Sequence, residues 1–170
     1  NDVNFDGTGN ITITAAGSTL SDTDFTGVKL EGADLSDADL RNSELIGLDL
    51  SGAVFTGANL SGANLSGANL TGVDLASVNF SNVNLTGANL TEARFTGADL
   101  NGANLREVNL VGAHLSDTNL TTVNLKGAIL SGADLRNVSL TGVDLCGVNL
   151  TGTNLTDSNL AGANLTDANL

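Results

Sequence analysis

One cysteine, one histidine and six basic residues are all that this chain of 170 residues offers of those types. The single cysteine, Cys146, excludes an internal disulfide. Its place directly after a leucine, away from the only histidine, makes it a solvated surface thiol rather than a nucleophile with a base. Six Lys and Arg stand against 19 Asp and Glu, for a net charge of −13. No basic stretch exists to bind nucleic acid directly or to lie on a membrane surface. No apolar run approaches the roughly 18 residues of a membrane span, which excludes insertion. Metal-ligand clusters, paired buried carboxylates and phosphate loops are also missing, so no catalytic residue, metal or cofactor is expected.

What is present is a register. From Leu20 to Leu170 every fifth residue is Leu or Phe, 31 positions in all, with Phe only at 25, 55, 80 and 95. In an α-helix a step of five turns the side chain by about 140° and scatters these residues around the axis. In a straight strand the odd step sends alternate ones to opposite faces. All of them share one interior only if the backbone turns a corner once per repeat. The chain is therefore expected to wind as an all-β solenoid.

The positions between the leucines fit that winding. Two residues before the Leu the side chain is almost always small or β-branched, as at Ala33, Ala58, Val73 and Val83, which suits a narrow interior. Two residues after, Gly is common, as at Gly52, Gly62 and Gly72, where a tight turn asks for positive φ. Asn or Asp just before most leucines supplies short side chains able to bond turn backbone.

Units such as Ser61-Gly62-Ala63-Asn64-Leu65 and Ser66-Gly67-Ala68-Asn69-Leu70 resemble the A(D/N)LXX signature of the pentapeptide-repeat family over residues 20–170. The resemblance implies a right-handed quadrilateral β-helix with four pentapeptides per coil. On that count 31 units make about 7–8 coils, and stacked strands about 4.8 Å apart give a rod about 37 Å long. Some members of the family bind type II topoisomerases as acidic mimics of duplex DNA. Duplex DNA of that length carries roughly 22 charges, so this chain reaches about 60% of the density. The projecting loops or C-terminal helix of such members have no counterpart here.

Residues 1–19 stand outside the register and read as an N-terminal strand or cap ahead of a β-helix over 20–170. Asn10–Thr14 alternates as a strand and Asp6–Gly9 reads as a turn. The first residue is Asn, not Met, which fits a processed or excised chain. The compartment stays open between cytoplasm and export to a periplasm or thylakoid lumen. At the other end the repeat runs unchanged to Leu170, so the last coil either pairs end to end with a second copy or continues into a further tail.

Stacking the sequence by twenty shows which surface residues meet. One column reads Asp74, Arg94, His114, Asp134, from which charge pairing between successive coils is expected. A second, Glu44, Asn64, Asn84, Asn104, Asn124, is expected to form an amide ladder. The candidate interaction surface is the acidic cluster Asp22, Asp24, Glu31, Asp34, Asp37, Asp39, Glu44 and Asp49, opposed only by Lys29 and Arg41, together with a small apolar patch at Val111 and Ile129. The expected role is that of a non-enzymatic scaffold for a protein partner that the residues do not identify. The alternative is a DNA-mimicking modulator of a type II topoisomerase.

Overall fold

The computed structural model describes the backbone of residues 2–5 and 11–170, with side chains from Thr14 onward. Strands β1 (Asp2–Phe5) and β2 (Ile11–Thr14) pair antiparallel, with Asp2 opposite Thr14 and Phe5 opposite Ile11. β2 falls where alternation placed a strand, and the turn expected over Asp6–Gly9 lies outside the described residues.

From β2 the chain passes directly into the coils. Thr14 bridges Asp34, the Ala15 N–H donates to the Asp34 carbonyl at 2.8 Å, and Ser18 closes a turn on the Ala15 carbonyl at 3.1 Å. The winding therefore begins five residues before Leu20. The leucine register hides this because an alanine, Ala15, fills the first core slot.

Each coil follows one plan, shown by the unit around Leu60. The turn Leu60-Ser61-Gly62-Ala63 is closed by the Ala63 N–H on the Leu60 carbonyl at 3.0 Å, with Gly62 at φ 71°. Positive φ at the third residue is the type II signature. Between turns the short side of the coil pairs in parallel with the next coil: Leu65 N–H donates to Asn84 C=O at 2.7 Å, and Asn84 N–H to Ala63 C=O at 2.9 Å. Bridges join residues twenty apart, as in Asn64 to Asn84 to Asn104 to Asn124. One turn per five residues and one coil per twenty make the cross-section four-sided.

Eleven of the third turn positions hold Asp, Asn, Ser or Glu in the left-handed region, with φ from 54° to 61°. Thr122 is the exception among those from Gly17 to Asp167, because it does not adopt positive φ. A β-branched side chain is the least tolerant of that conformation. The turn still closes, with Val123 N–H on the Leu120 carbonyl at 3.2 Å. Gly102, one coil back, donates to the Thr122 hydroxyl at 2.9 Å, where Gly62 and Gly72 donate to the backbone carbonyls of Ser81 and Thr91.

The interior is a column of side chains. Every register residue from Leu30 to Leu150 is at most 2% exposed, and the slots two residues earlier fill the gaps with Ala and Val, and with Leu48 in one place. Ser43 and Thr118 are the buried polar residues among those described, and each hydroxyl donates back to the carbonyl that opens its turn, Leu40 or Leu115. No buried side-chain polar atom is left without a partner among the described residues, so these hydroxyls cost little.

Towards both ends the packing opens. Val28, in an inward slot of the first coil, is 38% exposed. In the last coil Leu155 and Leu160 are partly buried, while Leu165 and Leu170 are exposed. The polar inward residues Thr153 and Ser158 sit there, bonded to the carbonyls of Leu130 and Leu155. No helix of the described residues is long and apolar enough to cross a membrane.

Candidate functional site

The outer surface is built from the residue before each leucine, which stands mid-face, and the two after it, which form the corners. The mid-face residue organises its own corner. Asp34 Oδ1 accepts the Ser36 N–H at 3.1 Å and the Ser36 hydroxyl at 2.7 Å, and Asn84 treats Thr86 the same way at 3.2 and 2.7 Å. Asp and Asn are interchangeable here because only one acceptor oxygen is needed. The free amide of Asn then reaches the next coil. Asn64 Nδ2 donates to Glu44 Oε2 at 2.8 Å, Asn84 to Asn64 Oδ1 at 3.0 Å, Asn104 to Asn84 at 3.2 Å and Asn124 to Asn104 at 3.3 Å. The amide ladder expected from the stacking is present.

These bonds tune the acidic residues. Hydrogen bonds from Thr26, Ser36 and Ser51 hold the carboxyls of Asp24, Asp34 and Asp49 below the usual carboxylate range. The guanidinium bonds of Arg41 and Arg136 do the same for Asp39 and Asp134, with His114 adding to the effect on Asp134. A carboxyl depressed in the folded state contributes stability above its ordinary value of 3.8 and loses it as pH falls through its folded value. The thermal midpoint should therefore drop as pH is lowered from neutrality to below that value. Replacing Asp34 and Asp49 together by Asn keeps the turn bonds and should flatten the drop, as measured by calorimetry at two pH values.

The expected charge pairing between coils is not what forms. Asp74, Arg94, His114 and Asp134 do stand in successive bridges. The ion pairs among the described residues, however, are Arg41 with Asp39, Arg106 with Glu107 and Arg136 with Asp134, each within a single turn. The corner geometry explains this. The mid-face carboxylate already accepts the backbone N–H two residues on, so an arginine at that position needs only to fold back. Arg41 and Arg136 each bind their Asp through Nε at 2.8 Å and Nη2 at 2.7 Å. Exposed pairs of this kind contribute little to stability.

The eight candidate acidic residues surround the first two coils on all four sides rather than lining one. Asp24 and Glu44 bridge on one side, Asp34 and Asp39 are mid-face on two others, and Asp49 lies on the fourth. Asp22 and Asp37 are corner residues, with Asp22 accepting the Asn42 amide at 3.1 Å, and Glu31 is exposed at another corner. They make a collar. Val111 and Ile129 share one face in adjacent coils, with Ile129 bridging Asn109. Ile129 is exposed and Val111 half-buried. Cys146 is half-buried on the corner column of Arg106 and Lys126. Among the described residues no group of His, Cys, Asp and Glu is placed to hold a metal ion.

Comparison with curated proteins gives no match. Among solved structures the chain is similar to HetL, a pentapeptide repeat protein involved in heterocyst differentiation regulation from the cyanobacterium Nostoc sp. strain PCC 7120. The identity is 28%, with 93% of this chain and 87% of that one covered and a TM-score of 0.50. It is similar in fold to trypsin-treated QnrB1, a plasmid-mediated fluoroquinolone resistance protein, at 21% identity, 92% and 88% coverage and a TM-score of 0.53. These neighbours support a right-handed winding for the four-sided coil. The family model for pentapeptide repeats matches eight copies that together run from residue 18 to residue 170, and the chain belongs to the pentapeptide-repeat family.

Proposed function

We propose that the chain is a non-catalytic binding rod that engages a basic protein surface through its acidic collar. The observation behind this reading is a step in charge along the axis. Eight carboxylates and two cations lie between residues 20 and 49, whereas Asp74 is the single charged residue from 50 to 91. One of those two cations, Arg41, is already held by Asp39, which leaves Lys29 as the collar cation without an ion pair among the described residues. A charge confined to one end steers a partner to that end, with an on-rate that falls as salt screens it. Membership of a family of non-enzymatic repeat proteins is consistent with a role performed by the surface alone.

Asp24→Asn, Glu31→Gln and Asp37→Asn together lower the collar charge while sparing its ion pair. This variant should lose most binding to a basic partner isolated with the wild-type rod, and Val111→Ser with Ile129→Ser should not. The reverse result would move the contact to the apolar patch. Two copies meeting through the last coil, where Leu165 and Leu170 are exposed, would be seen as a concentration-dependent mass in sedimentation.

A second reading has one specific observation in its favour. Turn hydrogen bonds fix several carboxylates at mid-face and keep them ionised, as a mimic of the phosphate backbone requires. As a DNA-like ligand of a type II topoisomerase, the rod should inhibit gyrase supercoiling at low salt and lose the effect steeply as salt rises. Absence of inhibition by micromolar protein at low salt removes that reading.

A further inference from the structure

Two features of this chain meet at one point, the first unique in its sequence and the second unique among the described turns. Asn101-Gly102 is its only Asn-Gly pair, and Thr122, one coil on, is the turn residue that departs from positive φ. The Thr122 hydroxyl donates to Asn101 Oδ1 at 2.8 Å and accepts the Gly102 N–H at 2.9 Å. It thus holds both groups that would react if the Gly102 nitrogen attacked the side-chain amide. In most turns the same N–H goes to a backbone carbonyl, as from Gly62 to Ser81 at 2.9 Å. Asn101 and Gly102 are both exposed, so water reaches them.

We propose that Asn101-Gly102 is a deamidation and isomerisation site that Thr122 keeps dormant in the wound rod, and that its reaction in the unwound chain destroys the ability to rewind. In the first step the Gly102 nitrogen bonds to Asn101 Cγ. The Cγ–Nδ2 bond breaks, and ammonia leaves with the proton from Gly102, giving a succinimide. Water then opens the ring. Addition at Cγ breaks the new bond and yields aspartate, while addition at the Asn101 main-chain carbonyl breaks the original peptide bond and yields isoaspartate. Nothing is oxidised or reduced. Glycine favours the attack because no side chain shields its nitrogen.

The two products differ in consequence. Aspartate keeps the main chain and adds a negative charge two residues from Asp99, whose Oδ1 accepts the residue 101 N–H at 3.0 Å. Isoaspartate inserts one extra carbon into the main chain. A solenoid is stabilised by each coil stacking on the next, and here the bridges recur at exact intervals of twenty residues on both sides of this turn. A coil with a longer backbone cannot keep its four corners over those of its neighbours. Chemical change in the unfolded state would then make unfolding irreversible.

The test holds the full chain in concentrated urea at mildly alkaline pH, withdraws samples over days and dilutes each into native buffer. Refolded fraction is read by circular dichroism and isoaspartate by peptide mapping. The refolded fraction should fall in step with isoaspartate at residue 101. Asn101→Ser, which places there a residue that several other turns hold at the same corner, as at Ser61 and Ser66, should refold throughout. In native buffer the wild type should convert far more slowly than in urea, and Thr122→Val should convert roughly tenfold faster than wild type, since two hydrogen bonds of ordinary net strength are lost. Equal loss of refolding in Asn101→Ser would overturn the proposal. So would wild-type conversion as fast folded as in urea, or a native rate in Thr122→Val no higher than wild type.

Discussion

Leu90→Asp is expected to leave no wound rod at ordinary temperature, while Asn89→Ala, one residue away, should leave a folded protein with a lower thermal midpoint. Leu90 is fully buried in a middle coil. Its loss removes roughly 1.5–3 kcal/mol of apolar burial, and the carboxylate adds a desolvation cost of several kcal/mol with no cation inside to pair with it. A mid-rod position makes this worse, because coils on either side lose their stacking partner. Asn89 sits outside and holds its corner by accepting from the Thr91 N–H at 3.2 Å and hydroxyl at 2.7 Å, and by donating to the Thr71 hydroxyl at 3.0 Å. Those bonds lie at the partly solvated surface, so their removal should cost about 1 kcal/mol. Leu160→Asp is a useful third measurement. In the open last coil it should fray one end and spare the rest. Far-ultraviolet circular dichroism against temperature separates the three outcomes, and equal midpoints for Leu90→Asp and Asn89→Ala would contradict the inward assignment.

The contrast between Leu90 and Asn89 was readable from spacing alone, because a period of five admits few ways of hiding its apolar residue. So was the amide ladder, since stacking by twenty fixes which mid-face residues are neighbours. Other features depend on where a side chain turns once the backbone is placed. Arg94 and Asp74 are neighbours in their column, yet arginines pair within their own turns, as Arg41 does with Asp39, because the corner brings those two groups together first. The start of winding at Ala15 was hidden because alanine in a leucine slot does not stand out from its surroundings. The Thr122 clamp had a visible cue in a β-branched residue at a turn position that elsewhere holds Gly, Asp, Asn, Ser or Glu. What the hydroxyl would bond could not be read from that cue. The acidic collar was legible as a cluster, but its distribution over all four sides follows only from the coil geometry. On the proposed reading a partner of that collar could approach from any side, which would make axial position more selective than face.

The aromatic residues of the core provide the second large effect. Phe80 and Phe95 are both fully buried, and their rings meet at a centroid distance of 6.1 Å with planes inclined at 53°. That tilted contact lies in the range where aromatic pairs gain about 0.5–1.5 kcal/mol beyond their burial. Fifteen residues separate them, so they come from adjacent sides of the rod and meet across its interior. Phe95→Ala should therefore cost about 3–5 kcal/mol, the usual penalty for emptying a phenylalanine site. The neighbouring slots offer Ala93 and Ala98, which are too small to close the gap. Phe95→Leu restores the residue found at most register positions and should recover much of the loss, leaving a deficit near the value of the ring contact. Phe80→Leu combined with Phe95→Leu should then cost less than the sum of the two single changes, because the contact can be lost only once. Urea denaturation of the four proteins measures this directly. Strict additivity of the two leucine changes would show that the rings act as separate fillers of the column and not as a pair.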